Sequence, residues 1–317
     1  MIVVCGEALM DVFAGADTAS GLTLDARVGG SPFNVAVGLS RLTQPVAFLG
    51  AISRDFLGAR LLRVLDNEGV VTEGIVRVDA PTTLGLVGLD AEGVPAYAFY
   101  GDGGADRQLG PDDVRRAFDA FHQSADSAPQ ALHLGSLATV VEPVATSLRA
   151  LVEHVRGDLL ISFDPNVRLG VEPDPARWRA TLRWMLSRTH LLKISEEDLA
   201  RLEPDTHPLA FCAHALAQGV RLVVVTRGPA GALACNASAS AQVAAIDVPL
   251  VDTVGAGDSF QAALLAWLAD HDQFHVDALA ALDAAQLGQA LRFAVRAAAI
   301  TCSRRGADLP RLSEVEP

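Results

Sequence analysis

Short apolar segments alternate with longer amphipathic ones through most of this chain, and that alternation narrows the folds open to it. Residues 130–134, 159–163, 190–194 and 221–226 are short apolar runs, and helical patterns follow, as over 142–155, 174–187 and 208–218. Strands interleaved with helices in this way call for a parallel sheet covered on both faces. Half of the 317 residues are hydrophobic, which supplies the large core such a sheet needs. Two stretches, 12–27 and 71–100, break the rhythm: they carry strand-like segments without helices, with turns at Asp79-Ala80-Pro81 and Asp90-Ala91-Glu92-Gly93. Alternation over Thr83-Leu84-Gly85-Leu86-Val87-Gly88-Leu89 and Ala96-Tyr97-Ala98-Phe99-Tyr100 predicts a half-exposed antiparallel sheet. The expectation is one α/β domain over 1–317, with a small β lid from about 12–28 and 71–105 inserted in it.

Charge and cysteine usage exclude several classes of function. A net charge of −13 and a pI near 5.0 leave no footprint for nucleic acid or an anionic membrane. No apolar run approaches the roughly 18 residues of a membrane span. Residues 1–7 lack a basic leader and read as a buried first strand. Cys5, Cys212, Cys235 and Cys302 are scattered without a CxxC pair, as expected of free thiols in a reducing cytoplasm. His271 and His275 stand four apart, but no third ligand motif accompanies them, so no metal site is expected there.

Two glycine-rich runs concentrate the chemistry. In Val251-Asp252-Thr253-Val254-Gly255-Ala256-Gly257-Asp258-Ser259-Phe260, two glycines permit a tight turn and close approach of a ligand. The helix start that follows offers free N–H groups and a positive dipole end to an anion. Asp258 in that turn reads either as a helix N-cap or as a general base beside a phosphate nest. The second run, 28–42, places Gly29 and Gly30 before another helix, with Ser31 as the expected N-cap and Pro32 first in the helix. Asn34 falls in its first turn, where an amide suits either capping or a sugar hydroxyl.

Together these runs resemble the two signatures of the ribokinase-like (PfkB) sugar kinases. Between them Phe163-Asp164-Pro165-Asn166-Val167-Arg168, Lys193-Ile194-Ser195-Glu196-Glu197-Asp198 and Thr226-Arg227-Gly228-Pro229-Ala230-Gly231 follow in the family's order. The likeness extends from Gly6-Glu7-Ala8-Leu9-Met10-Asp11 to Arg304-Arg305-Gly306-Ala307. It implies a ribokinase-like α/β fold whose antiparallel lid closes over a sugar, and phosphoryl transfer from ATP with Mg2+. By the resemblance Asp258 is the base, and the N–H groups of Gly255, Ala256 and Gly257 form the anion hole. No GxxxxGK[ST] run occurs, which argues against a P-loop kinase.

The resemblance also distributes the remaining site residues. Asp252 is similar to the family residue near the nucleotide and a monovalent cation such as K+; its type alone reads equally as a strand-end turn aspartate. Lys193, the only lysine in the chain, opens the stretch beside the triphosphate; otherwise it is a solvated strand-end lysine. Ser195 and Asp198 stand where many members carry Asn and Glu, and Asp198 is placed to order Mg2+ waters. Thr226, Gly228 and Gly231 resemble the nucleotide turn. Residues 293–299 resemble the adenine-side helix, although apolar periodicity alone assigns them to the core.

Sugar recognition rests, by the same resemblance, on Asp11, Gly29, Gly30, Asn34, Phe99 and Arg168. Asp11 otherwise reads as a surface turn and Arg168 as a surface ion pair. Residues 97–106 and His133-Leu134-Gly135-Ser136-Leu137 resemble the fructokinase subgroup, with Gly101 where several relatives carry a basic residue. The expected reaction is D-fructose to fructose 6-phosphate. A kinase for 2-keto-3-deoxygluconate is the alternative, because Asp164-Pro165-Asn166-Val167-Arg168 suits a sugar acid's carboxylate. A nucleoside base would want a more aromatic lid than 5 % aromatic content provides. A catalytically silent sugar sensor is the alternative from another class, and it would have no use for Asp258. The expected partners are sugar, ATP and a second copy of the chain through the lid; the expected compartment is the cytoplasm.

Overall fold

The structure, a computed structural model, describes residues 1–89, 95–123 and 128–316; the turn expected at 90–93 lies outside them. The large sheet runs in the order Ser240–Val243, Ala232–Cys235, Leu222–Thr226, Leu191–Ser195, Leu160–Asp164, Ala131–Gly135, Ile2–Cys5, Val46–Ser53, Ile75–Val78. From Leu222–Thr226 to Ile75–Val78 every pairing is parallel, and the first two strands add an antiparallel edge hairpin. Side chains of Ile2–Cys5 alternate between two cores: Ile2 and Val4 join one cluster, Val3 and Cys5 the other. That period of two on a doubly covered strand explains why the strands are apolar throughout rather than alternating.

The small sheet has the order Gly21–Gly29, Leu9–Thr18, Leu84–Leu89, Pro95–Tyr100. Its outer pairs are antiparallel, and its central pair, Met10 with Leu84 through Phe13 with Val87, is parallel. One boundary differs from expectation. Within the 71–105 segment assigned to the lid, Ile75–Val78 instead pairs with Val46–Ser53 at the edge of the large sheet. A four-residue strand with no helix behind it has the sequence pattern of either sheet, and only the pairing decides between them.

All the parallel strands point their C-terminal ends toward the lid side, and growth of the sheet reverses at Ile2–Cys5, with later strands added on both flanks. Ligand sites of open α/β sheets form at such a reversal. Among the described residues, no helix is long and apolar enough to cross a membrane.

Candidate active site

Two helix starts meet above the sheet. Ser31–Arg41 begins after Gly30 (φ 103°), and Ala256–Asp270 begins after Gly255 (φ 79°), both in conformations that side chains with a Cβ rarely adopt. Neither start has a side-chain cap. Ser31 and Pro32 therefore sit one position later than expected, and of the two readings of Asp258 the N-cap is set aside. Gly30, not Ser31, is the N-cap, Ser31 is the first helical residue and Pro32 the second. Likewise Gly255 caps the second helix, and Asp258 lies in its first turn with its carboxylate turned elsewhere.

Asp258 points at the opposing helix. Ser31 Oγ donates to Oδ1 at 2.6 Å, and Asn34 Nδ2 donates to Oδ2 at 2.8 Å. One turn further on, a Cβ at Gly38 would lie 2.8 Å from Ala262 Cβ, so the helices approach as closely as backbone and methyl allow. The glycine–alanine contact thus sets the spacing that brings Asn34 and Asp258 into hydrogen-bond range one turn earlier. Helix Ala256–Asp270 is buried from Asp258 to Leu268, which fixes the carboxylate to the core.

A second charged group approaches from the sheet. Asp164 ends strand Leu160–Asp164 and Lys193 lies in the middle of the adjacent parallel strand Leu191–Ser195; Lys193 Nζ lies 2.7 Å from Asp164 Oδ2 with both side chains buried. The same ammonium lies 3.2 Å from where a Cβ on Gly257 would stand. A cation is therefore seated against the turn expected to hold phosphate, and the solvated lysine reading is set aside. Burial pushes the Asp164 carboxyl up and Lys193 pulls it back, while Oδ1 of Asp164 has no hydrogen-bond partner. Asp198 is buried nearby; burial and the Asp164 charge raise its pKa. Ser195 caps helix Glu196–Leu202, accepting from the Asp198 N–H at 3.0 Å. In the turn itself, the Ala256 N–H donates to the Thr253 carbonyl at 3.2 Å, so that amide is turned to the protein rather than to a ligand.

Beneath this layer His133 Nδ1 and Gln261 Nε2 each lie 3.0 Å from Ser162 Oγ. Burial, with the Lys193 charge second, pushes His133 down to about 3, so the ring is neutral. The contacts join helix Ala256–Asp270 to two central strands. Spacing along the chain carries no sign of them, nor of the Ser31–Asp258 and Asp164–Lys193 pairs. The one usable signal is a lysine inside the apolar run Leu191–Ser195, which needs a buried partner.

Asp11, Gly29, Phe99 and Arg168 gather on the lid side. The side chain of Asp11 crosses over Gly29, and a Cβ at Gly85 would lie 3.1 Å from the Phe99 ring and 3.2 Å from Asp11 Oδ1. A Cβ at Gly170, in the loop that carries Arg168, would lie 3.5 Å from the same ring. Burial pushes Asp11 up to about 6; the Asp258 and Asp252 charges add to the rise and Arg168 opposes it. Arg168 is exposed, and its guanidinium Nη1 donates to the Val167 carbonyl at 3.0 Å.

The expected nucleotide residues lie at or just past the ends of two paired strands. Thr226 is paired with Ser195 at the strand ends, and Gly228 is exposed with open space around it. Gly231 is required for another reason: a Cβ there would strike the Val243 carbonyl, so it serves the edge hairpin. Asp252 accepts from the Val254 N–H at 3.1 Å and the Gly306 N–H at 2.8 Å, tying the turn to the C-terminal loop. Within 293–299, Ala294, Val295, Ala297 and Ala299 are buried in helix Ala284–Cys302, as core periodicity requires.

Known proteins share this fold. The profile of the pfkB family carbohydrate kinases matches residues 1–314. A fructokinase of Rhizobium leguminosarum bv. trifolii is 34% identical over 268 residues, 84% of this chain and 79% of the relative. The crystal structure of a fructokinase with bound ATP from Xylella fastidiosa superposes with a TM-score of 0.87 at 28% identity, covering 99% of this chain and 96% of that one. A fructokinase from Vibrio cholerae O395, solved in a fructose-, ADP- and calcium-bound form, gives a TM-score of 0.79 at 26% identity, covering 99% and 97%. With the paired helix starts, the sheet-edge cation and the lid in place, this chain belongs to the pfkB family of carbohydrate kinases and is a sugar kinase.

Proposed function

We propose that this sugar kinase moves the γ-phosphoryl group of ATP to the 6-hydroxyl of D-fructose, with Asp258 as general base. The observation that carries the reading is the Asp258 carboxylate, held by Ser31 and Asn34 at the start of a helix whose uncapped turn suits phosphate. The sugar lies between Asp11, Asn34, Phe99 and Arg168, with Gly29 and Gly30 keeping that wall free of side chains. Asp258 takes the hydroxyl proton as the oxygen attacks, and the N–H groups of Gly255, Ala256 and Gly257 receive the transferring phosphoryl oxygens. For Ala256 this requires release from Thr253. Lys193 follows the charge that develops on the phosphates. Ser195, Thr226, Gly228 and Gly231 border the nucleotide on the neighbouring strand ends.

Mg2+ binds such sites through one or two carboxylates, waters and substrate phosphates, and neutralises phosphate charge when bound. The unpartnered Asp164 Oδ1 and the buried Asp198 fit that role as acceptors for metal-bound water. The Asp252 carboxylate accepts one backbone N–H on each oxygen, which leaves a lone pair on each to hold a monovalent ion such as K+; no step is routed through that ion. One observation favours a second acceptor, 2-keto-3-deoxygluconate: the exposed Arg168 fork leaves donors for a carboxylate. Leu22 and Leu24, 51% and 55% exposed on the outer lid strand, are where a lid-to-lid dimer would form.

Coupled ADP release with Mg-ATP across fructose, 2-keto-3-deoxygluconate, ribose, tagatose and adenosine tests the reading. Asp258→Asn is expected to keep ligand binding and lose turnover by on the order of 10² to 10⁴-fold. Near-normal turnover in that variant removes the base assignment, and preference for the sugar acid moves Arg168 to carboxylate recognition. Sugar binding without turnover in the parent chain favours the silent sensor.

A further inference from the structure

We infer that Ser31 is itself a phosphoryl acceptor: when the sugar site is empty, Mg-ATP phosphorylates the Ser31 hydroxyl of the same chain. The inference rests on the reading of Asp258 as general base. Ser31 Oγ donates to Asp258 Oδ1 at 2.6 Å, the range in which a base accepts a proton from the hydroxyl it activates. Asn34 occupies Oδ2 at 2.8 Å and is buried. The oxygen a sugar hydroxyl must reach is therefore the one Ser31 already holds, and the half-buried Ser31 is the group that can yield.

The phosphate side is equally near. Gly257 is the neighbour of Asp258, and Lys193 Nζ lies 3.2 Å from the position of a Gly257 Cβ. A hydroxyl on the base, a turn for the phosphoryl oxygens and a cation thus meet at the start of helix Ala256–Asp270. In the step, Ser31 Oγ attacks the γ-phosphorus and its proton passes to Asp258. The new Oγ–P bond forms as the bond from phosphorus to the β,γ-bridging oxygen breaks, and ADP leaves. The phosphate then sits on the first residue of helix Ser31–Arg41, where the positive dipole end favours an anion. It also covers the base, so each event silences one chain, and a bound sugar protects by displacing the serine.

The test is incubation of the full chain with Mg-ATP without sugar, followed by intact-mass measurement, phosphopeptide mapping and a fructose assay on the same samples. The expected result is one phosphate per chain on Ser31, loss of sugar turnover in proportion, and suppression of both by fructose during the incubation. Ser31→Thr keeps a labelled hydroxyl at this position, Ser31→Ala takes no label there, and Asp258→Asn takes none although it still binds ATP. An unlabelled Ser31 in a parent chain that phosphorylates fructose overturns the inference and leaves the base assignment standing. So does label found only elsewhere. Ser31 labelling undiminished in Asp258→Asn overturns proton transfer to Asp258 as the route, and if sugar turnover persists in that variant too, the base assignment fails with it.

Discussion

Asp164 and Glu7 stand on the same edge of the large sheet, with only strand Ala131–Gly135 between the strands they follow, and both carboxyls are sealed from water. Their surroundings then diverge. Asp164 has an ammonium at 2.7 Å, which offsets the effect of burial on its charge. Glu7 has neutral donors, the Ser136 hydroxyl and the Ala138 N–H at 3.3 Å, and the charge that acts on it is that of another buried carboxyl, Asp106. Burial pushes Glu7 up to about 7, so near neutrality it carries a proton about half the time. Burial alone does not decide ionisation; the nearest cation does. The paired region keeps charge beside the Gly255–Gly257 turn. The unpaired region lies where the chain crosses between sheet and lid, with Asp106 bonded to Thr83 beside the lid strand Leu84–Leu89.

The sharpest way to break this contrast is to remove the cation. Lys193→Met leaves Asp164 buried and unpaired, and is expected to lower stability by roughly 3–5 kcal/mol while abolishing most turnover. Pairing it with Asp164→Leu should recover part of the stability and none of the activity. Urea unfolding of the single and double variants decides; a single variant as stable as the parent would mean that Lys193 does not compensate Asp164.

Glu7 supplies the opposite experiment. Its carboxyl has a folded pKa of about 7 against an ordinary 4.5, so the folded chain holds the proton more tightly over that window. The contribution of Glu7 to stability is then full below pH 4.5 and declines as pH rises to 7, with no further loss above it. Glu7→Gln cannot titrate. Relative to this variant, the parent should lose on the order of 2 kcal/mol between pH 5 and pH 8. Parallel pH profiles for the two proteins would show that Glu7 is ionised in the fold.

The smallest effect is expected at the exposed cation of the paired region. Arg168→Ala should leave stability within about 0.5 kcal/mol. It should raise the sugar KM roughly tenfold, as loss of a charged hydrogen bond does, with little change in the ATP KM. Equal shifts in both constants would take Arg168 out of the sugar site.

Legibility in the sequence followed the range of the interactions. The strands at 130–134, 159–163, 190–194 and 221–226 announced themselves because doubly buried strands are apolar throughout, and the structure places strands there within one or two residues. The Asn34 and Asp258 motifs were visible as two separate helix starts, because glycine turns are local signals. Their union was not visible, since it depends on Gly38 packing against Ala262 across more than two hundred residues of chain. Ser31 had the sequence pattern of an N-cap, but a glycine at φ 103° took that position and freed the hydroxyl for Asp258. Ile75–Val78 fell to the wrong sheet because a short strand carries no mark of its partner. Glu7 is a carboxylate two residues past a buried strand, and only the fold reveals that its partners are the neutral Ser136 hydroxyl and Ala138 N–H.

Helix Ala256–Asp270 has no solvent face from Asp258 to Leu268, whereas the outer lid strand Gly21–Gly29 is largely exposed. On warming, the two will not loosen together. Lid amides exchange through local openings, while those of the buried helix exchange only when the whole domain comes apart. Close to its melting point the protein would still hold its aspartate in place and still bind nucleotide, but the wall proposed to discriminate among sugars would already be fraying. Fidelity would be lost before catalysis.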